Sequence, residues 1–362
     1  MSLRELRRQA GRFAIVGFTG HSAPDDLRRL VTEFDLAGVI LFARNIVEPA
    51  QVAELNKEVA ALAREWPFWI SVDQEGGRVA RLKAPFTVWP PMATIGRSGD
   101  EALADRFARS LAAELLAVGF NLDYTPVLDV HTNPANPVIG DRAFASDANE
   151  VARFGAAIIR GLQDSGVAAC GKHFPGHGDT SVDSHEGLPI VEHDMRRLEA
   201  IELVPFRRAV TEQVAAIMTA HVMVPAADRS HVASFSPAIV TTLLKQTLGY
   251  QGVVISDDLG MKAVAATTPL PEATVSALRA GCDVVLLCNS TMDEQWQAIE
   301  AIIRAAERGE LTETRLDDAR ARQRAVKERF STPQTKATTK ATIDVVGQAA
   351  HRAIAEEMAA WR

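Results

Sequence analysis

Residues 171–189, GKHFPGHGDTSVDSHEGLP, set three histidines, two aspartates, a lysine and a glutamate among glycines and prolines. Neither a core helix nor a core strand tolerates that density of unpartnered polar groups, so the segment reads as a loop that does chemistry. Within it Asp183 and His185 stand two residues apart. That is close enough for the carboxylate to fix the imidazole's tautomer and raise its basicity. Such a dyad moves protons. The glycines predict a loop able to close over a substrate, with His177 as its brace. A solvated turn with incidental histidines is the bland alternative, and the clustering weighs against it.

Three other stretches carry candidate groups. In VDQEGGRVARL (72–82) Asp73 leaves an apolar run, Gly76–Gly77 permit a tight turn, and Arg78 and Arg81 follow. This fits a βα turn with a solvated arginine as well as it fits an aspartate accepting hydrogen bonds from ligand hydroxyls. NPVIGDRAFASD (136–147) offers an Asp141–Arg142 salt bridge or, alternatively, an Arg142 fork that grips a polar ligand. VVISDDLGMKA (253–263) says more. Its apolar residues drive a strand into the core, and Ser256, Asp257 and Asp258 stand at the tip. Neighbours on a strand face opposite ways, so one aspartate turns to the interior and the other away, to cap the next helix. The inward one is a candidate nucleophile or metal ligand.

These groups need elements to hold them. Short apolar runs at 13–18, 38–42, 68–73, 120–130, 167–173, 215–221, 253–258 and 283–289 alternate with helical patterns such as PDDLRRLVTEF and DANEVARFGAAIIRGLQDSG. Eight strands, each followed by a helix, predict an α/β fold of one (β/α)8 TIM-type barrel. The site of such a barrel lies at the strand C-termini. There the sequence places Asp73, Asp129, Lys172, His173, His221, Asp257, Asp258 and Asn289. A structural ion-pair network at the mouth is the competing account. Beyond residue 330, STPQTKATTKATID reads as a Thr/Lys-rich linker, and a last helix near 343–361 is expected to dock back on the barrel. The division is therefore a catalytic barrel over 1–330 and an extension over 331–362.

Composition narrows the class. With 47% hydrophobic residues the chain can fill a large core, and its formal net charge of −7 disfavours nucleic acid or an anionic membrane as partner. Cys170, Cys282 and Cys288 lie in apolar contexts and read as buried thiols of a reducing compartment. The start, MSLRELRRQAGRFAIVGFTG, reads as a helix entering a strand rather than a signal peptide. No apolar run approaches the roughly 20 residues of a membrane span. A cytoplasmic location is expected.

The residues alone leave two chemistries open. One is metal-dependent hydrolysis with His173, His177, His185 and Asp257 as ligands, although H-x3-H-x7-H is not the spacing of a helical zinc site. The other is metal-free glycoside cleavage, with a strand-7 carboxylate as nucleophile and a proton donor on the strand-5 loop. Most glycosidases use two carboxylates, so a His–Asp pair would be an unusual variant.

Taken together, KHFPGHGDTSVDSH, DQEGGRVARL, IGDRAF and ISDDLGMKA closely resemble glycoside hydrolase family 3, and within it the bacterial β-N-acetylglucosaminidases, over about residues 10–290. The resemblance implies a (β/α)8 barrel and a retaining double displacement with no metal or other cofactor. It implies that Asp257 is the nucleophile, His185 the acid/base and Asp183 its partner. It further implies that Asp73, Arg142, Lys172 and His173 hold a terminal N-acetylglucosamine, with Arg81 a further contact. The family's β-glucosidases usually carry a second domain that supplies a glutamate acid; the histidine loop here points to the hexosaminidase branch. Similar single-domain members are cytoplasmic and trim N-acetylglucosamine from 1,6-anhydro-muropeptides during cell-wall recycling. GDTSVDSHEGLP departs from these and looks more like the loop of longer or secreted members. Partners implied are N-acetylglucosamine-containing saccharides or muropeptides, and a monomer is favoured. A family β-glucosidase, broad β-glycosidase or phosphorylase is the runner-up. A metal-dependent hydrolase and a barrel that senses amino sugars without catalysis stand behind it.

Overall fold

The computed structural model describes residues 3–63, 66–182, 187–330 and 343–362. Strands are numbered in chain order: β1 Ala14–Gly17, β2 Gly38–Leu41, β3 Trp69–Val72, β4 Leu122–Asp123, β5 Ala168–Phe174, β6 Ala216–Thr219, β7 Met223–Val224, β8 Asp228–Val232, β9 Val253–Asp258 and β10 Val284–Leu287. All except β7 and β8 pair in parallel, each with its neighbour in the chain, and β10 closes on β1 through Ala14↔Val285 and Ile15↔Leu286. The result is the (β/α)8 barrel that the alternating runs predict.

Burial explains the closure. Every residue of β1, β2, β3, β6 and β10 is buried, as parallel strands covered on both faces require. Alternate residues divide the work. Ile15, Ile40, Met218, Ile255 and Leu286 join the cluster inside the barrel, while Val16, Val39, Ile217, Val254 and Leu287 pack outward against the helices. The helices start where the sequence marks them. Asp100 and Asp147 cap Glu101–Ala117 and Ala148–Asp164 by accepting the amides of Ala102 and of Asn149 and Glu150.

Two elements differ from expectation. The run 120–130 forms only two residues of regular ladder, because Pro126 has no N–H to give. The chain still tracks β5 through single bonds: Cys170 N to Thr125 O, Lys172 N to Pro126 O and Leu128 N to Lys172 O. This irregular path delivers Asp129 to the mouth beside β5. The second difference is β7–β8, an antiparallel hairpin outside the barrel that the sequence reading merges into the stretch after strand 6.

Cys170, Cys282 and Cys288 are buried free thiols. The terminal helix Ala349–Ala359 lies against helix Glu101–Ala117. Buried Glu114 fastens the junction, accepting from Gly347 N, from Thr87 N and Oγ1, and from His351 Nδ1. Residues 331–342, the expected linker, lie outside the described residues. Among the described residues no helix is long and apolar enough to cross a membrane.

Candidate active site

A cavity of about 240 Å³ opens at the strand C-termini and is lined by residues that include Asp73, Arg81, Arg142, Lys172, His173, His177 and Asp257. All the expected site residues in the described part of the chain therefore meet in one place. Asp183 and His185 lie outside the described residues.

One wall is an ion network. Lys172 leaves β5 and is 2% exposed, with Nζ 2.6 Å from Asp73 Oδ1 and 2.5 Å from Glu75 Oε1. Burial alone would strip a lysine of its proton. The two carboxylates outweigh that cost and hold the ammonium above its ordinary value. Arg142 meets Glu75 in a two-pronged contact, Nε to Oε2 at 2.8 Å and Nη2 to Oε1 at 2.7 Å. Burial pushes Glu75 upward, but Arg142 and then Lys172 more than reverse this, and the carboxyl stays far below its ordinary range. Asp73 receives Arg81 Nη2 at 3.1 Å on its other oxygen. Arg81 in turn lies over the Phe42 ring, 5.6 Å from its centroid, as does Arg44 at 4.6 Å. Three cations share two carboxylates here, which leaves unspent donors for hydroxyls in the cavity.

Glu75 went unrecognised in the sequence. Its signal was the two-residue spacing from Asp73, which puts both side chains on one side of an extended segment. The alternative Asp141–Arg142 salt bridge does not form. Asp141 instead lies 3.5 Å from Arg78 Nε, and Arg78 donates to the carbonyls of Pro137, Val138 and Ile139, bracing the loop that carries Arg142.

A second wall is built on Asp129. Its Oδ2 lies 2.7 Å from His173 Nδ1, and its Oδ1 accepts from His177 N at 2.7 Å. Burial pushes this carboxyl up, yet the two histidines and the amide outweigh it and keep it below its ordinary value. With Nδ1 engaged, His173 has Nε2 left for a ligand. His177 Nδ1 meets Thr180 Oγ1 at 2.6 Å, and burial pushes its imidazole below the ordinary value. These contacts make it a brace, as expected from its place in the loop.

Strand β9 delivers the third wall, and its alternation separates the two aspartates. Asp257 is half-buried and faces the cavity. Its Oδ1 accepts from Asp258 N at 2.8 Å, leaving Oδ2 for chemistry. Burial raises its pKa, but His173, His221, the amide and Lys172 together hold it below the ordinary value. It is thus an ionised carboxylate at neutral pH. Asp258 turns into the wall, where it accepts from Gly260 N, Cys288 N and Asn289 Nδ2 at 3.0–3.1 Å. The expected helix cap is instead a clamp between β9 and the exit of β10. Behind both aspartates, His221 is buried and pushed below its ordinary value by that burial. Its Nε2 lies 3.1 Å from the Asp258 carbonyl, which can only accept, so Nε2 carries the proton and Nδ1 accepts from Ser234 Oγ at 2.6 Å.

Of the rival metal set, His173, His177 and Asp257 line the cavity, while His185 lies outside the described residues. His173 and His177 each spend Nδ1 on a protein partner. Among the described residues no three His, Cys, Asp or Glu side chains converge in a ligand cluster.

Comparison with known proteins shows the family. The model of the glycosyl hydrolase family 3 N-terminal domain matches residues 5–326. A β-hexosaminidase of Thiobacillus denitrificans is 43% identical over 271 residues, covering 73% of this chain and 75% of its own. One from Alkalilimnicola ehrlichii is 40% identical over 296 residues, 80% of this chain and 83% of its own. Among solved structures, a family 3 β-N-acetylglucosaminidase from a Paenibacillus species superposes with a TM-score of 0.90 at 39% identity, over 100% of this chain and 69% of that one. NagZ from Neisseria gonorrhoeae, in complex with N-trifluoroacetyl-D-glucosamine, superposes at 0.78 and 32% identity, over 96% of this chain and 97% of that one.

Proposed function

The chain belongs to glycosyl hydrolase family 3, and on that premise we propose that it is a retaining β-N-acetylglucosaminidase that removes terminal N-acetylglucosamine through a covalent glycosyl-enzyme. The observation that carries the proposal is Asp257, an ionised carboxylate with one oxygen fixed by a backbone amide and the other turned to a cavity walled by hydrogen-bond donors. Asp257 Oδ2 attacks the anomeric carbon as the glycosidic C–O bond breaks. A proton from His185, steadied by Asp183, goes to the departing oxygen. Water then attacks the acylal ester, His185 takes its proton, and Asp257 leaves with the bonding pair; two inversions give net retention.

Asp73, Lys172, Arg142 and His173 hold the sugar hydroxyls, and Arg81 adds a donor fixed by Phe42. No cation is needed for this scheme. The catalytic unit is the barrel of residues 1–330, working as a monomer in the cytoplasm. 1,6-Anhydro-muropeptides are the proposed physiological substrate, a reading supported by the similarity to NagZ over nearly the full length of both chains.

The test is release of 4-nitrophenol from its β-N-acetylglucosaminide and β-glucoside, before and after exhaustive chelation, with the first-formed anomer followed by proton NMR. Strong preference for the acetamido sugar, indifference to chelator and β-product are expected. Chelator-sensitive turnover restored by zinc would revive the metal reading, α-product would exclude retention, and equal efficiency on the glucoside would favour the β-glucosidase branch.

A further inference from the structure

The seam between β9 and β10 loses its register where Asp257 leaves it. Val284 pairs with Ile255 and Leu286 with Asp258, so three steps along β9 answer two along β10. The extra residue makes this a β-bulge, which bends a strand and re-aims a side chain. The two residues inside it are Ser256 and Asp257. On its other edge β9 stays in register with β6 as far as Thr219↔Ser256.

A bulge interrupts the ladder, and the backbone groups it strands inside a protein need other partners. Ser256 supplies one. It is fully buried, and its Oγ accepts from Leu286 N at 3.2 Å, standing in for a backbone carbonyl of β9. The same hydroxyl donates to Asp257 O at 2.8 Å. That carbonyl belongs to the peptide whose N–H, on Asp258, donates to Asp257 Oδ1 at 2.8 Å. A peptide unit is a rigid plane. Ser256 therefore sets its tilt at the oxygen, and the N–H at the other end fixes the carboxylate of Asp257. The following peptide is tied separately, since Asp258 O accepts from His221 Nε2 at 3.1 Å and from Met261 N at 3.0 Å.

We propose that Ser256 is a positioning residue for the nucleophile: its hydroxyl bridges β10 to the Asp257–Asp258 peptide and holds that plane so that Asp257 Oδ2 faces the anomeric carbon. The inference rests on the reading of Asp257 as nucleophile. Covalent attack needs the reacting atoms about 3–3.5 Å apart and aligned, and a 1 Å error can cost on the order of 10²-fold. Ser256 does not line the cavity, so it acts through the peptide and not on the sugar.

The experiment compares wild type, Ser256→Ala and Asp257→Ala on two substrates, N,N′-diacetylchitobiose and 2,4-dinitrophenyl β-N-acetylglucosaminide. Calorimetry follows the binding of N-acetylglucosamine. Because kcat/KM reports the first covalent step, Ser256→Ala should lose about 10–10²-fold. The factor should be the same on both substrates, since every leaving group needs the attacking oxygen in place. The Kd for N-acetylglucosamine should stay within about twofold, because the donors of the other two walls and the ties at Asp258 are untouched. The acid limb of kcat/KM should move to higher pH, as a loosened Asp258 N–H no longer favours the ionised carboxylate. A merely structural hydroxyl would weaken binding and rate together and leave that limb in place. Full activity on both substrates, a loss on the disaccharide alone, a Kd that rises in step with the loss, or an unmoved acid limb would overturn the inference. Should Asp257→Ala itself keep its turnover, the nucleophile assignment falls and takes this inference with it. Should Asp257→Ala be inactive and Ser256→Ala unimpaired, only the role of Ser256 is lost.

Discussion

Glu75→Gln removes the negative charge that Arg142 and Lys172 share, at a site where all three groups are buried. Asp73 would then be the only carboxylate left for Lys172, and Arg142 would lose both prongs of its contact. Leaving a buried charge without its partner costs about 3–5 kcal/mol, and the amide oxygen of Gln, which still accepts one hydrogen bond, places the expectation near the lower end. At about 2.1 cal/mol/K per residue, the unfolding entropy of 362 residues is roughly 0.8 kcal/mol/K, so Tm should fall by about 4 °C. The effect has a definite pH dependence. Burial raises the Glu75 pKa, Arg142 and Lys172 lower it further, and the net position is far below the ordinary value. A depressed carboxyl contributes stability that is complete above its unfolded value of about 4.3 and is lost as pH falls toward the folded one. The gap between wild type and Glu75→Gln should therefore be full at pH 7 and begin to close below about pH 4. Calorimetry across that range reads both quantities, and KM should rise because Lys172 and Arg142 lose their aim. A Tm within about 1 °C of wild type at pH 7, or a gap that widens on acidification, would refute the reasoning.

Asp129→Asn weakens the acceptor that orients His173 and holds the amide of His177, so kcat/KM should drop by roughly 10–10² from misaligned contacts while the far-UV spectrum stays unchanged. Lys172→Met keeps the stem and removes the buried ammonium, and calorimetric binding of N-acetylglucosamine should become undetectable if Lys172 grips the sugar. Because Asp257 is held below the ordinary carboxyl value, kcat/KM for a dinitrophenyl glycoside should stay level from pH 7 down to about pH 5; an acid limb centred above pH 5 would mean that the nucleophile titrates there.

The barrel was legible because its strands are short, apolar and spaced by capped helices, and because closure puts every strand end on one rim. Asp73, Lys172, His173 and Asp257 could be placed on that rim from strand position alone. What the sequence hid was pairing across distance. Glu75 is a loop residue whose meaning comes from Arg142, 67 positions away, and no local pattern announces that contact. The shortening of β4 was written in Pro126, but the rescue of its path by bonds from β5 was not. Gly176 and Gly178 look like hinges in one dimension; only the proximity of Glu202 and Val130 shows why side chains are excluded there. Alternation showed that one of Asp257 and Asp258 turns away from the interior, but the helix cap expected of it is a clamp whose partners, Cys288 N and Asn289 Nδ2, come from the neighbouring strand's exit.

The central claim is that Asp257 forms a covalent bond to the sugar, and trapping tests it most directly. The protein would be incubated with 2-acetamido-2-deoxy-5-fluoro-glucopyranosyl fluoride, digested with pepsin and its peptides fragmented in a mass spectrometer. The mechanism predicts one fluorosugar per chain, carried by the peptide that contains VVISDDLGMKA and localised to Asp257, with no label in Asp257→Ala. A label on Asp258, or a native enzyme that turns the substrate over yet never acquires the sugar's mass, would contradict it.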